Sequence, residues 1–492
     1  MEALQRLHNR GSISTGYDVT HSLKFETDNT EYLMAEGRPQ GNQQTWTYSC
    51  WLKRTEVDNG VVAQHIFSAG SDGKLAVYFR DDASYPDDRI FIYIDEGNSL
   101  KWIGQVNQSF RDTSAWYHFV FTCDSTDSTA ADRTKLYING VQQTITFNST
   151  LNANVSTRVG DSGGKFAIGG KVSDTSYGFN GYISECVLVD GSALTPTSFG
   201  EYDDDSGIWK PKDVSSLSLG TAGFYMNFDD SSNVGAVQTG TSQGNFDKYN
   251  LTSADQATDT PTNNFCTFNP LQTVRVNTGD SHKWTIRNGA TSAIQAADYG
   301  YMTHAGNMGF KKGKWYAEFK AGTGTVQAFV GMNQLDNTGA WEESYIGAYS
   351  NATAIGMCKS QDGYFYRNGG GGALGVSWAA GDILGIAIRI NDDGTGFMGM
   401  SKNGTWENSQ DPSSGTSGML GLYYGNALPA NLFHSFAVST RRNNGAMLAN
   451  FGGFPGFTIS SANSDAKGYG SFEYAVPTGY YALCTKNLEE FG

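Results

Sequence analysis

A chain of 492 residues accommodates two large β-sandwich domains or about three average ones. A net charge of −15 repels phosphate backbones and anionic bilayers, and no apolar run approaches the ~18 residues of a span, so neither nucleic-acid binding nor membrane insertion is expected. The 61 glycines, 26 tyrosines and 28 phenylalanines, set against 10 prolines and 17% charged residues, exclude collagen-like and proline-rich chains and favour short strands joined by glycine turns.

Residues 1–20 stand apart. Glu2 to His8 predicts a short helix that buries Leu4 and Leu7 and ends at Gly11-Ser12. A helix that short is marginal alone, so the segment either frays or docks, and docking would make it an attachment or oligomerisation peptide. The polar opening Met1-Glu2-Ala3-Leu4-Gln5-Arg6 is followed by no apolar core, so no secretion signal is expected and folding is placed in a cytoplasm.

Strands begin at Ser22, where Leu23 and Phe25 alternate with Lys24 and Glu26. Runs at 45–53, 65–70, 75–79, 90–94 and 116–121 follow. Lys135 to Val141 then carries the strongest local signal. Asn139-Gly140 suits a type I′ turn, whose two central residues both need φ > 0. In that register Ile138 faces Val141 and Leu136 faces Gln143, which puts Leu136, Ile138, Val141 and Ile145 on one half-buried face. Phe166 to Gly170 and Phe179 to Val189 close the region. The succession Trp46-x-x-x-Cys50-Trp51, Phe67-Ser68-x-Gly70, Trp116-x-His118, Leu136-Tyr137-Ile138-Asn139-Gly140, Ile168-Gly169-Gly170 and Phe179-x-Gly181-x-Ile183-x-Glu185 resembles the laminin-G-like, concanavalin-type jelly-roll family over residues 22–200.

Residues 201–275 read as a Gly/Ser/Asn/Asp-rich connector with at least one strand, Phe224 to Phe228, and an extended turn at Asp259-Thr260-Pro261. The acidic run Asp203-Asp204-Asp205 reads as a solvated loop, with a calcium site as the alternative. The order Asp190-Gly191-Ser192-Ala193-Leu194-Thr195-Pro196, Trp209-Lys210-Pro211, Gly223-Phe224-Tyr225-Met226-Asn227-Phe228 resembles large virion proteins of tailed bacteriophages, in which a laminin-G-like module precedes a second β-module. The closing Val476 to Thr485 resembles the same group.

The second β-region spans residues 276–492. Gly313 to Phe319 and Phe329 to Met332 read as strands, and Leu384, Ile386, Ile388 and Ile390 share one strand face. A second Asn-Gly hairpin stands at Asn403-Gly404. With Leu428-Pro429, Phe436-Ala437-Val438 and Asn450-Phe451-Gly452, this order resembles the SPRY (B30.2-like) sandwich over about residues 280–485. Arg389, where that family carries Asp, and the glycine run from Asn368 to Gly372 depart from it, which bears on an inherited ligand pocket and not on the fold. The expected fold class is therefore all-β: two antiparallel β-sandwich (jelly-roll) domains in tandem, 21–200 and 276–492, behind a short N-terminal attachment segment.

No catalytic constellation emerges. Glu26-Thr27-Asp28-Asn29-Thr30-Glu31 has the bare Glu-x-Asp-x-x-Glu spacing of a glycosidase strand, yet Asp28-Asn29 predicts a turn that splays the carboxylates. The glycines from Asn368 lack the Lys-Ser/Thr of a phosphate loop, and His118 reads as a structural strand residue. Cys50, Cys123, Cys186, Cys266, Cys358 and Cys484 include no Cys-x-x-Cys pair and read as buried thiols. No enzyme activity, cofactor or metal is expected. Both modules suit binding by loops on a rigid sandwich, with the loop aromatics and their polar neighbours Tyr85 beside Asp87 and Asp88, Trp102, Trp341 beside Glu342, and Tyr364 with Tyr366 as the candidate ligand contacts. The phage resemblance implies a tail fibre or similar appendage that recognises host-surface glycan, is held to other virion proteins by its N-terminal segment and forms a homo-oligomer, a trimer by preference. The alternatives are a head-decorating or joining protein and a polysaccharide depolymerase.

Overall fold

The computed structural model describes residues 16–57, 63–70, 73, 75–82, 85–96, 99–172, 174, 176–240, 244–275, 281–283, 285–295, 301–322, 327–335, 345–347, 355–357, 363–367, 370–373, 375, 377–409, 411–414, 420–421, 428, 432–441 and 445–492. The helix expected over Glu2 to His8 lies outside them, as does Cys358. The chain divides into two compact units, Met1–Asn263 and Asn264–Gly492. Each is a β-sandwich, so the all-β class holds.

The longer strands of the first unit are β1 (Ser22–Phe25), β2 (Tyr32–Ala35), β3 (Thr45–Arg54), β4 (Gln64–Ala69), β5 (Leu75–Asp82), β6 (Tyr85–Glu96), β7 (Ser99–Ser109) and β8 (Tyr117–Asp124). After them come β9 (Thr134–Ile138), β10 (Val141–Gln142), β11 (Ile145–Phe147), β12 (Phe166–Ile168) and β13 (Gly181–Asp190). Short strands complete it: β14 (Gly200–Tyr202), β15 (Trp209–Pro211), β16 (Phe224–Met226), β17 (Thr239–Gly240), β18 (Asp247–Tyr249) and β19 (Gln256–Ala257). Among the described residues one sheet runs β10-β9-β8-β3-β13-β1-β19, with β16 also on β13, and the facing sheet runs β11-β7-β6-β5-β4-β12-β2-β18. Period-two alternation fills the space between them: Trp46, Tyr48, Cys50 and Leu52 from β3 meet Val77 and Phe79 from β5 and Ile90, Ile92 and Ile94 from β6.

The Asn139-Gly140 turn forms as its residue types require, with φ of 48° and 80°. Val141 lies opposite Ile138. The Asn139 side chain also accepts the backbone N–H of His118 at 2.7 Å, tying the turn to β8. Asn403-Gly404 repeats the device, with φ of 48° and 80° and the N–H of Ile383 donating to Asn403 Oδ1 at 2.9 Å. The shared face expected for Leu136, Ile138, Val141 and Ile145 does not form. Leu136 and Ile138 are buried, Val141 is 55% exposed, and Ile145 pairs with Val106 of β7 in the other sheet. The chain crosses between layers after Gln142, so its alternation is read against two different sheets.

The stretch read as a connector contributes to the first sandwich up to Asn263. β16 extends one sheet beside β13, and β18 borders the other beside β2. Phe199, Val214, Leu219 and Tyr225 pack on Val120, Val187 and Val189, the outward residues of β8 and β13. That cover explains why Cys186-Val187-Leu188-Val189 is apolar without a break: both faces of β13 are buried. Polar loops with a few apolar anchors look like a linker in sequence and fold as a third layer. His118 proves structural, since its Nδ1 accepts Trp209 Nε1–H at 2.9 Å and its Nε2 meets Ser49 Oγ at 2.9 Å. The five described cysteines are buried thiols.

In the second unit the strands are β20 (Thr273–Arg275), β21 (Ser281–Lys283), β22 (Thr285–Arg287), β23 (Ser292–Gln295), β24 (Met302–Ala305), β25 (Gly313–Ala321), β26 (Gln327–Gln334) and β27 (Ile355–Met357). They continue with β28 (Tyr364–Arg367), β29 (Gly370–Ala373), β30 (Ile383–Ile390), β31 (Gly396–Lys402), β32 (Thr405–Trp406), β33 (Leu420–Gly421), β34 (His434–Arg441) and β35 (Gly445–Asn450). Among the described residues the facing sheets run β22-β23-β35-β25-β30-β31-β32 and β24-β34-β26-β27-β28-β29. Leu384, Ile386, Ile388 and Ile390 share the core face of β30 with Trp315, Ala317 and Phe319 of β25. Arg389 lies on the other face and donates to Asn391 Oδ1 at 2.8 Å. The C-terminal run is pinned by the buried Glu318 carboxylate, which accepts the N–H groups of Glu473 and Tyr474 at 2.8 and 2.9 Å.

Candidate functional site: aromatic sheet faces

The alternation that sends Val77, Phe79, Ile90, Ile92 and Ile94 inward sends the residues between them outward. On this outer face no protein layer comparable to the 199–225 cover is seen among the described residues, and a row of rings crosses β4 to β7. His65 stacks on Tyr78 at 4.7 Å, and Tyr78 lies 6.1 Å from Phe91 and 5.9 Å from Tyr93. Phe91 and Tyr93 then stack with Trp102 at 5.9 and 6.4 Å. Register shifts between His65 and Phe67 and along β6–β7 help set this alignment. Tyr177 closes one end, 5.7 Å from His65.

At that end is an open hollow of about 250 Å³ lined by His65, Tyr78, Arg80, Tyr93, Lys171 and Tyr177, with Ala63, Gly73 and Ala76 leaving the space. The Arg80 guanidinium lies 5.2 Å from the Phe91 ring, and the Lys171 ammonium 5.0 Å from Tyr177. Burial pushes the His65 imidazole down to about 3, so the ring is neutral at neutral pH, and its Nδ1 has no hydrogen-bond partner among the described residues. The surface combines flat apolar rings with a few polar groups at one edge, the makeup of a small-ligand site.

The second sandwich carries a comparable patch on the outer side of its β24-β34-β26-β27-β28-β29 sheet. Phe329 stacks on Tyr345 at 4.6 Å, Tyr366 meets Tyr345 edge-on at 4.9 Å, and Tyr301 meets it at 5.1 Å. Tyr364, 41% exposed, lies 6.3 Å from Tyr366.

Of the candidate contacts, Trp102 belongs to the first row, and Tyr364 and Tyr366 belong to the second patch. Trp341 and Glu342 lie outside the described residues, as do the side chains of Tyr85 and Asp87. Asp88 is a correction. It is fully buried and pairs with Arg54 at 2.8 Å and Arg111 at 3.1 Å, so its carboxylate holds the fold and presents nothing to a ligand. Trp102, Tyr364 and Tyr366 lie on strands and not on loops, and so do His65, Tyr78 and Tyr93, which no turn-forming neighbour marks in the sequence. The outward phase of β5 and β6 was the available signal.

The Glu26–Glu31 stretch turns through a 3-10 segment at Thr27–Asn29, with Thr30 at φ 53°. Asp28 is exposed, while Glu31 is buried against Lys24 at 2.8 Å. Asp203 accepts from Ser206 N–H and Oγ–H, both at 2.9 Å, and pairs with Lys210 at 3.1 Å. Among the described residues no group of three or more His, Cys, Asp or Glu side chains is placed to hold a metal, and no helix is long and apolar enough to cross a membrane.

Residues 27–198 match the concanavalin A-like lectin/glucanases superfamily. The match falls on the sandwich that carries the ring row, and the fold is that of a carbohydrate- or protein-binding module. Comparison with curated proteins finds no match. Solved structures similar to this chain include the SPRY domain of human HERC1, at 14% identity and TM-score 0.27 over 37% of this chain and 96% of that one. The native heptameric SAP-like pentraxin from Limulus polyphemus is similar at 16% identity and TM-score 0.26, over 37% of this chain and 80% of that one. Domains LG4-5 of the mouse laminin alpha1 chain are similar at 11% identity and TM-score 0.27, over 93% and 88%.

Proposed function

We propose that this chain is a non-catalytic attachment protein whose sandwiches present aromatic sheet faces to surface glycans. The row from His65 to Trp102 carries the proposal. Sugar rings have apolar faces that stack on aromatic side chains, and a rigid sheet holds those side chains without an ordering cost at binding. The sequence resemblance to tailed-phage virion proteins supports a tail fibre or similar appendage, joined to other virion proteins through residues 1–20 and trimeric by preference. Shallow sites of millimolar affinity, about −4 kcal/mol, become useful when several copies bind together.

The test is surface plasmon resonance of the full chain on immobilised host-surface polysaccharide. Tyr78→Ala, which removes a ring in the middle of the row, should cost about 2 kcal/mol, roughly thirtyfold in affinity, with the melting temperature nearly unchanged. Binding that persists at full strength in Tyr78→Ala combined with Tyr364→Ala would sink the proposal.

One observation favours a second reading, a joining protein that binds other virion subunits. Val141, 55% exposed, lies on the edge strand β10, and close by Tyr202, 52% exposed, packs edge-on against Trp209 at 4.8 Å. Such an apolar edge suits another protein better than a sugar. Electron microscopy of the assembled particle separates the two readings by whether this edge or the ring row is covered.

A further inference from the structure

We infer that the hollow at the His65 end of the ring row selects an acidic sugar, one bearing a carboxylate or sulfate. This rests on the glycan reading of that face and adds the chemical class of ligand. The chain as a whole carries −15, yet among the described residues the charged ones lining the hollow are Arg80 and Lys171, with no carboxylate beside them. Lys171 makes no ion pair among the described residues; its ammonium rests over the Tyr177 ring at 5.0 Å. Asp174, three positions on from Lys171, has its carboxylate stabilised by the Ser176 N–H at 3.0 Å and by the field of Lys171, and it does not line the hollow.

Three groups with different tasks follow from the geometry. Tyr78 and Tyr93 offer ring faces to the apolar side of a pyranose. The neutral His65 backs the Tyr78 ring at 4.7 Å and stays uncharged below pH 6, where an ordinary histidine would have gained a proton. Arg80 and Lys171 meet the anionic group from two sides, Arg80 with a planar fork that matches two oxygens. A hollow of about 250 Å³ lies below the ~300–1,000 Å³ of drug-sized pockets, which limits the recognised unit to about one sugar residue of a longer chain.

The experiment titrates the full chain with matched monosaccharides by NMR line-shape and chemical-shift changes at low salt. Methyl glucuronide and glucose 6-sulfate are compared with methyl glucoside, and the corresponding galacto series is run beside them. Either acidic sugar is expected to bind at least about tenfold more tightly than its neutral counterpart, and raising salt to 0.5 M should erase most of that difference. Lys171→Gln and Arg80→Gln should each bring the acidic sugars down toward the affinity of their neutral counterparts. Preference for the uronide over the sulfate assigns the carboxylate, and the reverse order assigns the sulfate. Equal binding of acidic and neutral sugars in wild type overturns the inference and leaves the glycan reading standing. No binding of any sugar, with none on polysaccharide, overturns both.

Discussion

Asp88→Ala is expected to destabilise the first sandwich by about 3–5 kcal/mol, the cost of stripping the partner from a buried charge. The Arg54 guanidinium is 1% exposed; its Nη2 reaches Asp88 Oδ1 at 2.8 Å, its Nη1 donates to the Phe110 carbonyl at 2.6 Å, and it lies 4.3 Å from the Phe79 ring. Burial already pulls its pKa below the usual arginine value, with the Asp88 carboxylate holding it up. Without that carboxylate the cation keeps the Phe110 and Glu56 carbonyls and only the weaker field of Asp81. At roughly 2–4 °C per kcal/mol for a unit of this size, scanning calorimetry should record a loss of about 6–20 °C in one transition. Asp88→Asn should recover part of it, because Asn tolerates the φ of 51° that Asp88 adopts. If Asp88 were a ligand contact, the melting temperature would hold and sugar binding would fall.

The second large effect is acid lability from neutral buried histidines. Burial pushes His65 and His118 in the first unit, and His304 in the second, down to about 3, and His434 to about 4. In the unfolded chain each titrates near 6.5, so between that value and the folded one the unfolded state binds more protons. Stability is therefore full above pH 6.5 and falls as the pH drops toward 3–4. From pH 7 to pH 5 each histidine costs about 2 kcal/mol. Glu185 runs the other way. It is buried, at a φ of 51°, with Tyr17 and Tyr225 hydroxyls donating to it at 3.0 and 2.9 Å, and burial pushes it up to about 7. Its contribution is present at low pH and lost as the pH rises from 4.5 through 7, which offsets about one histidine in the first unit. Glu318, also raised by burial, acts in the same sense in the second unit. Urea titrations at pH 7, 6 and 5 should show both units weakening, and His118→Gln or His304→Gln should flatten the slope by about one proton. An unchanged slope would mean that the ring already carries its proton in the folded state.

What the sequence disclosed, it disclosed through local chemistry. Asn139-Gly140 and Asn403-Gly404 demanded left-handed turns and formed them, and the alternation of Leu384 to Ile390 marked the core face of β30. The layered class followed from many such short runs. Information that depends on distant partners was out of reach. Nothing near Val214 or Leu219 says that they cover Val187 and Val189, and nothing beside Asp88 says that Arg54, 34 positions earlier, takes its carboxylate indoors. The candidate site was half legible for the same reason. Trp102 stood out as a lone ring, whereas the row containing it exists only once β4 to β7 are laid side by side.

The layer formed by residues 199–225 gives the first sandwich a blind side and a side that carries the ring row. The Asp203–Gly207 turn projects from the blind one, closed on itself by the Gly207 N–H to the Asp203 carbonyl at 2.8 Å. A dye, an affinity peptide or a small domain spliced in at Asp204-Asp205 would ride behind the module while its opposite surface stayed clear. That makes the turn the natural handle for anchoring this protein, ring row outward, to a chip or a bead.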